Sequence, residues 1–312
     1  MKYIFVTGAA GYIGSAVCDM LLQKGFGVVA TDSKPMRIIN QNFRFVQSDI
    51  TDKDTITAAM RDATSMIHLG CSVDNDFTPI LSSDEDKMSA QVDKFLYKTA
   101  VSYKFDEVLM LSSYQVYQQP KNREPVREAL DLKPITIYGK LKLDSEKALA
   151  DATKKSETKP VTMRILPVYS KSYLENLFAK VRDPKDGSIF LYGYGDYGYS
   201  FCNLHNLLDF ILGIYTNRDN INFSGAYNIC DTKPTSAKDI VEFLKQETNI
   251  PIVQQRNYST DAVKNQFTLF VSKQIKTDYR YLDPAIACSN INYDNTKAQR
   301  FATFRWKLSN TK

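Results

Sequence analysis

Histidine and cysteine, the residues from which most metal sites and disulfide frameworks are built, are scarce in this sequence. Only two histidines are present, His68 and His205, which disfavours a multi-histidine metal site, and we predict no bound metal. The five cysteines are odd in number, widely scattered and without Cys-x-x-Cys spacing. This pattern predicts reduced, structural thiols and no disulfide framework.

Long apolar runs and clusters of like charge are also lacking. No stretch of 18 apolar residues occurs, and the first residues show no basic region with a cleavage site. We therefore expect no membrane association and no secretion, and we expect a cytoplasmic location. The 40 basic and 35 acidic residues are spread along the chain, so nucleic acid is not an expected partner. The 312 residues, 43% of them hydrophobic, are enough to bury a full α/β core.

The clearest pattern lies at the start of the chain. An apolar run at 3–6 predicts a strand, and the Thr-Gly-Ala-Ala-Gly-Tyr-Ile-Gly stretch at 7–14 predicts a glycine turn that opens a helix. Gly8 permits the tight turn, Gly11 lets a pyrophosphate approach the main chain, and Gly14 lets the helix pack close to the strand. The N–H groups of the new helix then face the anion. We therefore predict dinucleotide binding by Gly8, Ala10, Gly11, Tyr12, Ile13 and Gly14.

A second predicted strand, 28–31, ends at Asp32, about twenty positions after the glycines. A carboxylate at this place usually binds the hydroxyls of the adenosine ribose. Asp32 therefore favours NAD, because its charge repels the extra phosphate of NADP. Lys34 and Arg37 lie close enough in sequence to offer that phosphate a positive charge, so NADP is the less favoured alternative.

Asp49 and Ile50 follow a third predicted strand, 43–47. In one interpretation the Asp49 carboxylate contacts the adenine amino group and Ile50 covers the ring. In the other, Asp49 belongs to the cap of the helix that follows. The residues alone do not separate the two interpretations.

Two further predicted strands end in small or hydroxyl-bearing residues. Strand 66–69 is followed by Gly-Cys-Ser, which suits a chain that passes close to a cofactor, and strand 107–111 runs into Ser-Ser-Tyr-Gln. The ends of parallel strands border the ligand crevice, so the second group is expected near the nicotinamide. We predict cofactor contacts from Leu69, Gly70 and Cys71, and substrate contacts from Ser72, Tyr114 and Gln115.

A helix is predicted to open at Tyr138, and Lys142, four residues later, shares its face. The same tyrosine-to-lysine spacing occurs at 117–121 and 293–297. Pro120 interrupts the first copy, and the second lies far from any predicted strand end. Only the Tyr138 copy opens a helix after a Ser-Ser strand end.

With these motifs the chain resembles the extended short-chain dehydrogenase/reductase family, in the NAD-dependent epimerase/dehydratase group that includes many nucleotide-sugar enzymes. The resemblance implies a Rossmann-type doubly wound parallel sheet with a smaller interleaved C-terminal substrate domain. Residues 1–165 would form the NAD(P)-binding domain, with later segments returning to it, and 166–312 mainly the substrate domain. It also implies a homodimer. The resemblance rests on the opening glycines, Asp32, Asp49-Ile50, His68-Leu69, Ser113 before Val116-Tyr117, Tyr138 with Lys142, and the stretch 164–170.

The resemblance assigns a catalytic role to each member of the Ser113, Tyr138 and Lys142 set. Tyr138 is the acid/base, Lys142 its electrostatic partner and a ribose contact, and Ser113 a hydrogen-bond donor to the reacting oxygen; Pro167 is a further cofactor contact. A free tyrosine has a pKa of about 10, so lowering it by roughly three units takes about 4 kcal/mol. A unit charge about 4 Å away supplies this at an effective dielectric constant of about 20.

Three departures from the family pattern restrict the reaction. The 4,6-dehydratases of the family carry Asp-Glu where this chain has Tyr114-Gln115, so dehydration is not expected. Many nucleotide-sugar members carry Asn and a terminal Gly in the stretch that here reads Arg-Ile-Leu-Pro-Val-Tyr-Ser, at 164–170. Tyr199 stands where an arginine commonly binds the diphosphate, in a tyrosine-rich loop, 192–199, whose rings either stack on a sugar or base or pack along a domain edge.

Three functions stay open. The first is an NAD-dependent epimerase or ketoreductase acting on a nucleotide-activated sugar. The second is an NAD(P)-dependent reductase or dehydrogenase of another small carbonyl compound. The third is a non-catalytic NAD(P)-binding sensor, which the Ser113, Tyr138 and Lys142 set disfavours.

Overall fold

The computed structural model describes residues 2–70, 84–118, 124–183, 186–217, 222–249, 253–261, 263 and 290–312, with only the backbone of 84–89. The chain divides into two compact units. The first unit comprises Met1–Gln118, Asp131–Ile165 and Phe210–Tyr227. The second unit comprises Gln119–Leu130, Leu166–Asp209 and Asn228–Lys312.

The first unit alternates strands and helices along the chain. Two later elements, α6 (Leu204–Asn217) and β11 (Gly225–Ile229), contribute residues to both units. The other elements of the first unit are β1 (Tyr3–Thr7), α1 (Tyr12–Gln23), β2 (Gly27–Asp32), β3 (Phe43–Gln47), α2 (Lys53–Met60), β4 (Ala63–His68), α3 (Asp84–Ser102), β5 (Glu107–Ser113), a 3-10 turn (Tyr114–Val116), α4 (Ile137–Thr153) and β6 (Lys159–Ile165).

These strands form one seven-stranded sheet in the order β3-β2-β1-β4-β5-β6-β11. Every neighbouring pair from β3 to β6 is parallel. The chain runs outward from β1 to β3 and then returns to β4 on the other side of β1, so the carboxyl ends of β1 and β4 flank the point where the strand order reverses. The prediction of a doubly wound parallel sheet is confirmed. Ligands of such sheets bind in the crevice at this reversal.

The sheet is covered on both faces, which explains its nearly continuous apolar strands. All seven residues of β5 are buried, as expected for a central parallel strand. Helices α2, α3 and α4 pack on the sheet through a cluster that includes Phe5, Met60, Tyr97 and Leu149. Gly25, two residues after the end of α1, has φ +83°, a left-handed conformation that a side chain would strain.

The second unit consists of short strands and helices around an aromatic core. Its strands pair as β10 with β7, β12 with β9 and β13 with β8. Tyr192, Tyr197 and Tyr199 belong to this core, whereas Tyr194 is 82% exposed. Three rings of the tyrosine-rich loop are therefore packing residues. The elements are β7 (Val168–Tyr169), α5 (Glu175–Val181), β8 (Phe190–Tyr192), β9 (Gly198–Tyr199), β10 (Cys202–Asn203), β12 (Thr235–Ser236), α7 (Ala237–Glu247) and β13 (Gln254–Arg256).

The structure bears on two expectations from composition, those about membrane association and about the cysteines. Among the described residues, no helix combines the length and the apolar character that a membrane crossing needs. Cys18, Cys202 and Cys230 are buried free thiols, and burial raises the pKa of Cys18 to about 12. Thiols in this state are poor nucleophiles and act as small apolar residues.

Candidate active site

The glycine turn joins the end of β1 to the start of α1, and the backbone leaves no room for a side chain at Gly8 or Gly14. Gly8 has φ +67°, and a Cβ atom there would lie 2.9 Å from the amide nitrogen of Gly70. A Cβ atom at Gly14 would collide with the carbonyl oxygen of Gly8. Within the described part of the chain no side chain caps the first turn of α1, which begins after Gly11. The turn thus presents backbone N–H groups at a helix start, the arrangement that binds phosphate.

Asp32, at the end of β2, lies beside this turn. One carboxylate oxygen accepts the Ala10 N–H at 3.0 Å and the other accepts the Lys34 N–H at 2.9 Å. The carboxylate is thereby fixed next to the glycine turn, at the place predicted for the ribose contact. Lys34 and Arg37 are exposed on the loop that follows β2.

Asp49 and Ile50 lie in the turn between β3 and α2. The Asp49 carboxylate accepts bonds from the N–H and hydroxyl of Thr51, which lower its pKa. Asp52, and not Asp49, caps α2, through the N–H of Thr55 at 3.2 Å. Asp49 is exposed and Ile50 packs partly against the core. The cap interpretation of Asp49 is therefore wrong in detail, because the capping carboxylate lies three residues later, and the adenine contact stays a prediction.

A buried polar chain, which the sequence reasoning did not find, begins at the end of β1. The Thr7 hydroxyl lies 2.7 Å from Nδ1 of His68 and accepts the Leu69 N–H at 3.3 Å. Nε2 of His68 lies 3.0 Å from a carboxylate oxygen of Asp93 on α3. Because a carboxylate only accepts, Nε2 of His68 carries a proton and donates it to Asp93. His68 is thus a hydrogen-bonded buried residue.

Ser113, the last residue of β5, is buried together with the turn after it. Its hydroxyl accepts the Gln115 N–H at 3.2 Å. The Gln115 side chain in turn accepts a bond of 2.7 Å from the hydroxyl of Thr136, the residue that caps α4. A Cβ atom at Gly139 would lie 2.5 Å from the Gln115 carbonyl oxygen. Gln115, predicted as a substrate contact, therefore connects the strand end to the start of α4.

Tyr138 and Lys142 lie on the first turns of α4, both nearly fully buried at 6% and 3% exposure. The Lys142 ammonium lies 5.6 Å from the centroid of the Tyr138 ring. This distance lies within the range of a cation–π contact between the two side chains. Burial raises the pKa of neighbouring Tyr114, with a smaller contribution from Tyr138. Tyr114, predicted as a substrate contact, thus interacts electrostatically with the predicted acid/base.

One turn beyond Lys142, Glu146 forms a buried ion pair with Arg164 of β6. Two guanidinium nitrogens of Arg164 bind the carboxylate, the shortest contact being 2.7 Å. Ser112 donates to the same carboxylate, and the third guanidinium nitrogen lies 3.2 Å from the Tyr117 hydroxyl. Removing one partner of a buried pair leaves an uncompensated charge and costs about 3–5 kcal/mol. The pair therefore fixes α4 against the ends of β5 and β6.

The remaining predicted site residues fall outside this group. Cys71 and Ser72 lie outside the described residues. Pro167 belongs to the second unit, where its carbonyl accepts the Cys202 N–H at 3.0 Å. Tyr199 also belongs to the second unit; its hydroxyl donates to the Lys180 carbonyl at 3.2 Å, and the Lys180 ammonium lies 5.5 Å from its ring centroid. Desolvation lowers the pKa of Lys180 to about 8.

Residues 4–230 match the NAD dependent epimerase/dehydratase family. The chain belongs to this family. The UDP-glucose 4-epimerase of Azospirillum brasilense is 28% identical over 170 residues, which cover 53% of this chain and 49% of that protein. The UDP-glucose 4-epimerase uge1 of Schizosaccharomyces pombe is 27% identical over 168 residues, which cover 48% and 47%. The chain thus spans about half the length of the curated epimerase relatives that it matches.

Solved structures agree over a longer span. The UDP-glucuronic acid 4-epimerase of Bacillus cereus, in complex with UDP-glucuronic acid and NAD, has a TM-score of 0.71 at 19% identity, covering 99% of this chain and 96% of that chain. The UDP-glucose 4-epimerase of Thermotoga maritima, with UDP-glucose, has a TM-score of 0.69 at 19% identity, covering 96% and 92%. At 19% identity this similarity shows the fold alone: the chain has the same fold as these two epimerases.

Proposed function

We propose that this chain is an NAD-dependent epimerase of a nucleotide-activated sugar, with Tyr138 as the acid/base. The observation that carries the proposal is the buried Tyr138 with the Lys142 ammonium 5.6 Å from its ring, on a helix whose start is packed against the turn after Ser113. Family membership and the UDP-glucose 4-epimerase relatives support it.

The first unit has the features that NAD requires. Gly8 and Gly14 let the turn pack against Gly70 and against the start of α1 without a clash, and the N–H groups at the start of α1 suit a pyrophosphate. Asp32 accepts the Ala10 N–H beside the glycine turn, which supports its assignment to the ribose hydroxyls, and its charge disfavours the phosphate of NADP. When bound, NAD supplies the hydride acceptor and donor.

The side chains at the ends of β5 and α4 divide the remaining chemistry. Tyr138 takes the proton of the sugar hydroxyl as its carbon is oxidised, and returns a proton when the keto group is reduced from the other face. Lys142 stabilises the Tyr138 phenolate, because the two groups share a desolvated environment. Ser113 donates a hydrogen bond to the reacting oxygen. A base positioned in this way contributes about 10²- to 10⁴-fold to the rate.

The test is to incubate the purified protein and NAD with UDP-glucose or UDP-glucuronic acid and to analyse the sugars by NMR. The expected product is the 4-epimer without net accumulation of NADH.

The Tyr138→Phe variant should lose about 10²- to 10⁴-fold in turnover while still binding NAD. Tyr293→Phe is the matched control, because Tyr293 has the same spacing to a lysine but lies in the second unit. Equal turnover by Tyr138→Phe and wild type would contradict the assignment, and net NADH formation would indicate a dehydrogenase.

A second candidate function is the reduction of a small carbonyl compound that carries no nucleotide. Tyr199 favours this function, because it stands where the family commonly has a diphosphate-binding arginine. Its ring is packed in the aromatic core and its hydroxyl is bonded to the Lys180 carbonyl. Turnover of ketones with net NADH consumption, and none of UDP-sugars, would select this function. A protein that binds NAD and turns over neither class of compound would fit the sensor function.

We also propose that the protein is a homodimer, as the family resemblance implies, and light scattering tests this.

A further inference from the structure

One buried carboxylate on α4, that of Glu146, binds side chains from two neighbouring strands. Ser112 of β5 donates its hydroxyl to this carboxylate, and Arg164 of β6 binds it through Nε at 3.0 Å and a terminal nitrogen at 2.7 Å. Ser112 and Arg164 are direct partners in the sheet register, and all three residues are buried. The carboxylate therefore joins the helix to the carboxyl ends of both strands.

The same ion pair reaches both sides of Ser113. Ser112 directly precedes Ser113, and Tyr117 follows the 3-10 turn that begins after it. The third guanidinium nitrogen of Arg164 lies 3.2 Å from the Tyr117 hydroxyl, and the guanidinium carbon lies 5.0 Å from the centroid of the Tyr117 ring. The N–H of Tyr117 donates to the Tyr114 carbonyl at 3.2 Å, so this residue belongs to the turn. The ion pair thus holds the chain on both sides of the turn that Ser113 begins.

On α4, Glu146 lies on the face that carries the proposed acid/base. It follows Lys142 by four residues and Tyr138 by eight, so the three side chains share one broad face and span about 12 Å of the helix. The start of the helix is held separately, because the Thr136 hydroxyl donates to the Gln115 side chain at 2.7 Å. Two contacts this far apart fix both the rotation of α4 and its shift along its own axis.

An ion pair at this place is better suited to fixing geometry than to adding stability. The desolvation of two buried charges offsets most of their attraction, so apolar residues of similar size often replace such a pair without loss of stability. The paired N–H···O bonds between a guanidinium and a carboxylate are directional, whereas apolar contacts are not. We propose that Glu146 and Arg164 are positioning residues that set the placement of Ser113 relative to Tyr138. The role rests on the acid/base function proposed for Tyr138.

The test replaces the ion pair with apolar residues of similar size, in the double variant Glu146→Leu and Arg164→Met. Because neither charge is left without its partner, we expect the protein to keep its fold and a melting temperature within about 5 °C of wild type. Ser113 and Tyr138 are then no longer held together by directional bonds. The kcat should fall about 10²-fold, as expected for a misplacement of about 1 Å, while KM and NAD affinity change little.

Hydrogen exchange of backbone amides, measured by NMR, gives a readout that does not depend on turnover. The Gln115 N–H donates to the Ser113 hydroxyl at 3.2 Å, so its exchange rate reports opening of the turn. In the double variant this rate should rise at least about tenfold, the equivalent of one charge-assisted hydrogen bond. Leu149→Ala is the matched control, because it removes apolar packing from the same helix in the core of the first unit. It should lower the melting temperature more than the double variant does, without changing this rate or kcat.

Two single variants decide the matter if the double variant does not fold. Ser112→Ala and Tyr117→Phe each remove one contact of the ion pair and leave no charge without its partner, and each should raise the Gln115 exchange rate about fivefold. An unchanged exchange rate in the variants that fold, or a wild-type kcat beside faster exchange, would overturn the proposal. Faster exchange in a protein without epimerase activity would support the role of the ion pair at the turn and contradict only the proposed function.

Discussion

Gly139 offers the sharpest test of how the fold holds Tyr138. It is the residue next to Tyr138 on α4, and a Cβ atom there would lie 2.5 Å from the Gln115 carbonyl oxygen and 3.0 Å from both the Gln115 carbonyl carbon and the Thr136 hydroxyl oxygen. Real Cβ atoms need more than 3.0 Å, so Gly139→Ala must push the start of α4 away from the turn after Ser113. The displaced backbone belongs to a well-packed interior that yields little.

Two opposing terms set the expected change in stability. Overpacking costs about 1–3 kcal/mol, whereas alanine in place of glycine gains about 1 kcal/mol of helix propensity. The net change in the free energy of unfolding is therefore a loss of about 0–2 kcal/mol. The expected effect on turnover is larger, about 10²-fold, because catalysis falls steeply when a reacting group is misplaced by about 1 Å.

The assay compares the melting temperature and kcat of Gly139→Ala with those of Ala150→Gly. Ala150 is exposed on the same helix, and glycine there costs about 1 kcal/mol of helix propensity without touching the turn after Ser113. We expect similar melting temperatures in the two variants and a loss of kcat in Gly139→Ala alone. Wild-type kcat in Gly139→Ala, at unchanged or raised stability, would refute the argument that close packing at Gly139 positions Tyr138.

Three further predictions address the cofactor, the second unit and the substrate. Asp32→Ala should narrow the preference for NAD over NADP measured by calorimetric titration, because it removes the charge beside Ala10; tighter NADP binding by the wild-type protein would instead implicate Lys34 and Arg37. Desolvation of Asp231 raises its pKa to about 6, above the usual acid value, so the folded state holds the proton more tightly and stability should fall as pH rises from about 4 to about 6. The fall should be on the order of 3 kcal/mol for this group and absent in Asp231→Asn, and parallel urea titrations of the two proteins that keep the same pH dependence would contradict it. Finally, UDP at millimolar concentration with NAD present should raise the melting temperature, and no shift with any nucleoside diphosphate would favour the small-carbonyl function.

The features predictable from the sequence are those encoded locally. The glycine turn depends on backbone geometry at Gly8 and Gly14, and the strand that ends at Asp32 is specified by an apolar run with an acidic residue after it. The pairing of Tyr138 with Lys142 follows from helix periodicity, because residues four apart share a face. The parallel sheet follows from the alternation of such strands and helices. Each of these inferences uses residues within about one element of each other.

The features that escaped prediction depend on contacts between elements distant in sequence. Gly139 was not recognised because its constraint comes from Gln115, and the roles of Gln115 and Tyr199 in packing depend on partners at Thr136 and Lys180. A glutamine at a strand end is consistent with both a substrate contact and a connection to the next helix. Only the bond to Thr136, 21 residues later, shows that the side chain connects the two elements.

Asp93 was the hardest residue to predict, although the sequence contains a signal for it. In α3 the positions that face the core, Leu96, Tyr97 and Ala100, are apolar, and Asp93 lies three and four residues before the first two. A carboxylate on the core-facing side of a helix is costly to bury without partners, so it predicts a buried donor or cation nearby. Helix periodicity indicates that such partners must exist, but only the fold brings His68 of β4 to this carboxylate. A charged residue on an otherwise apolar helix face therefore indicates a buried partner that is distant in sequence.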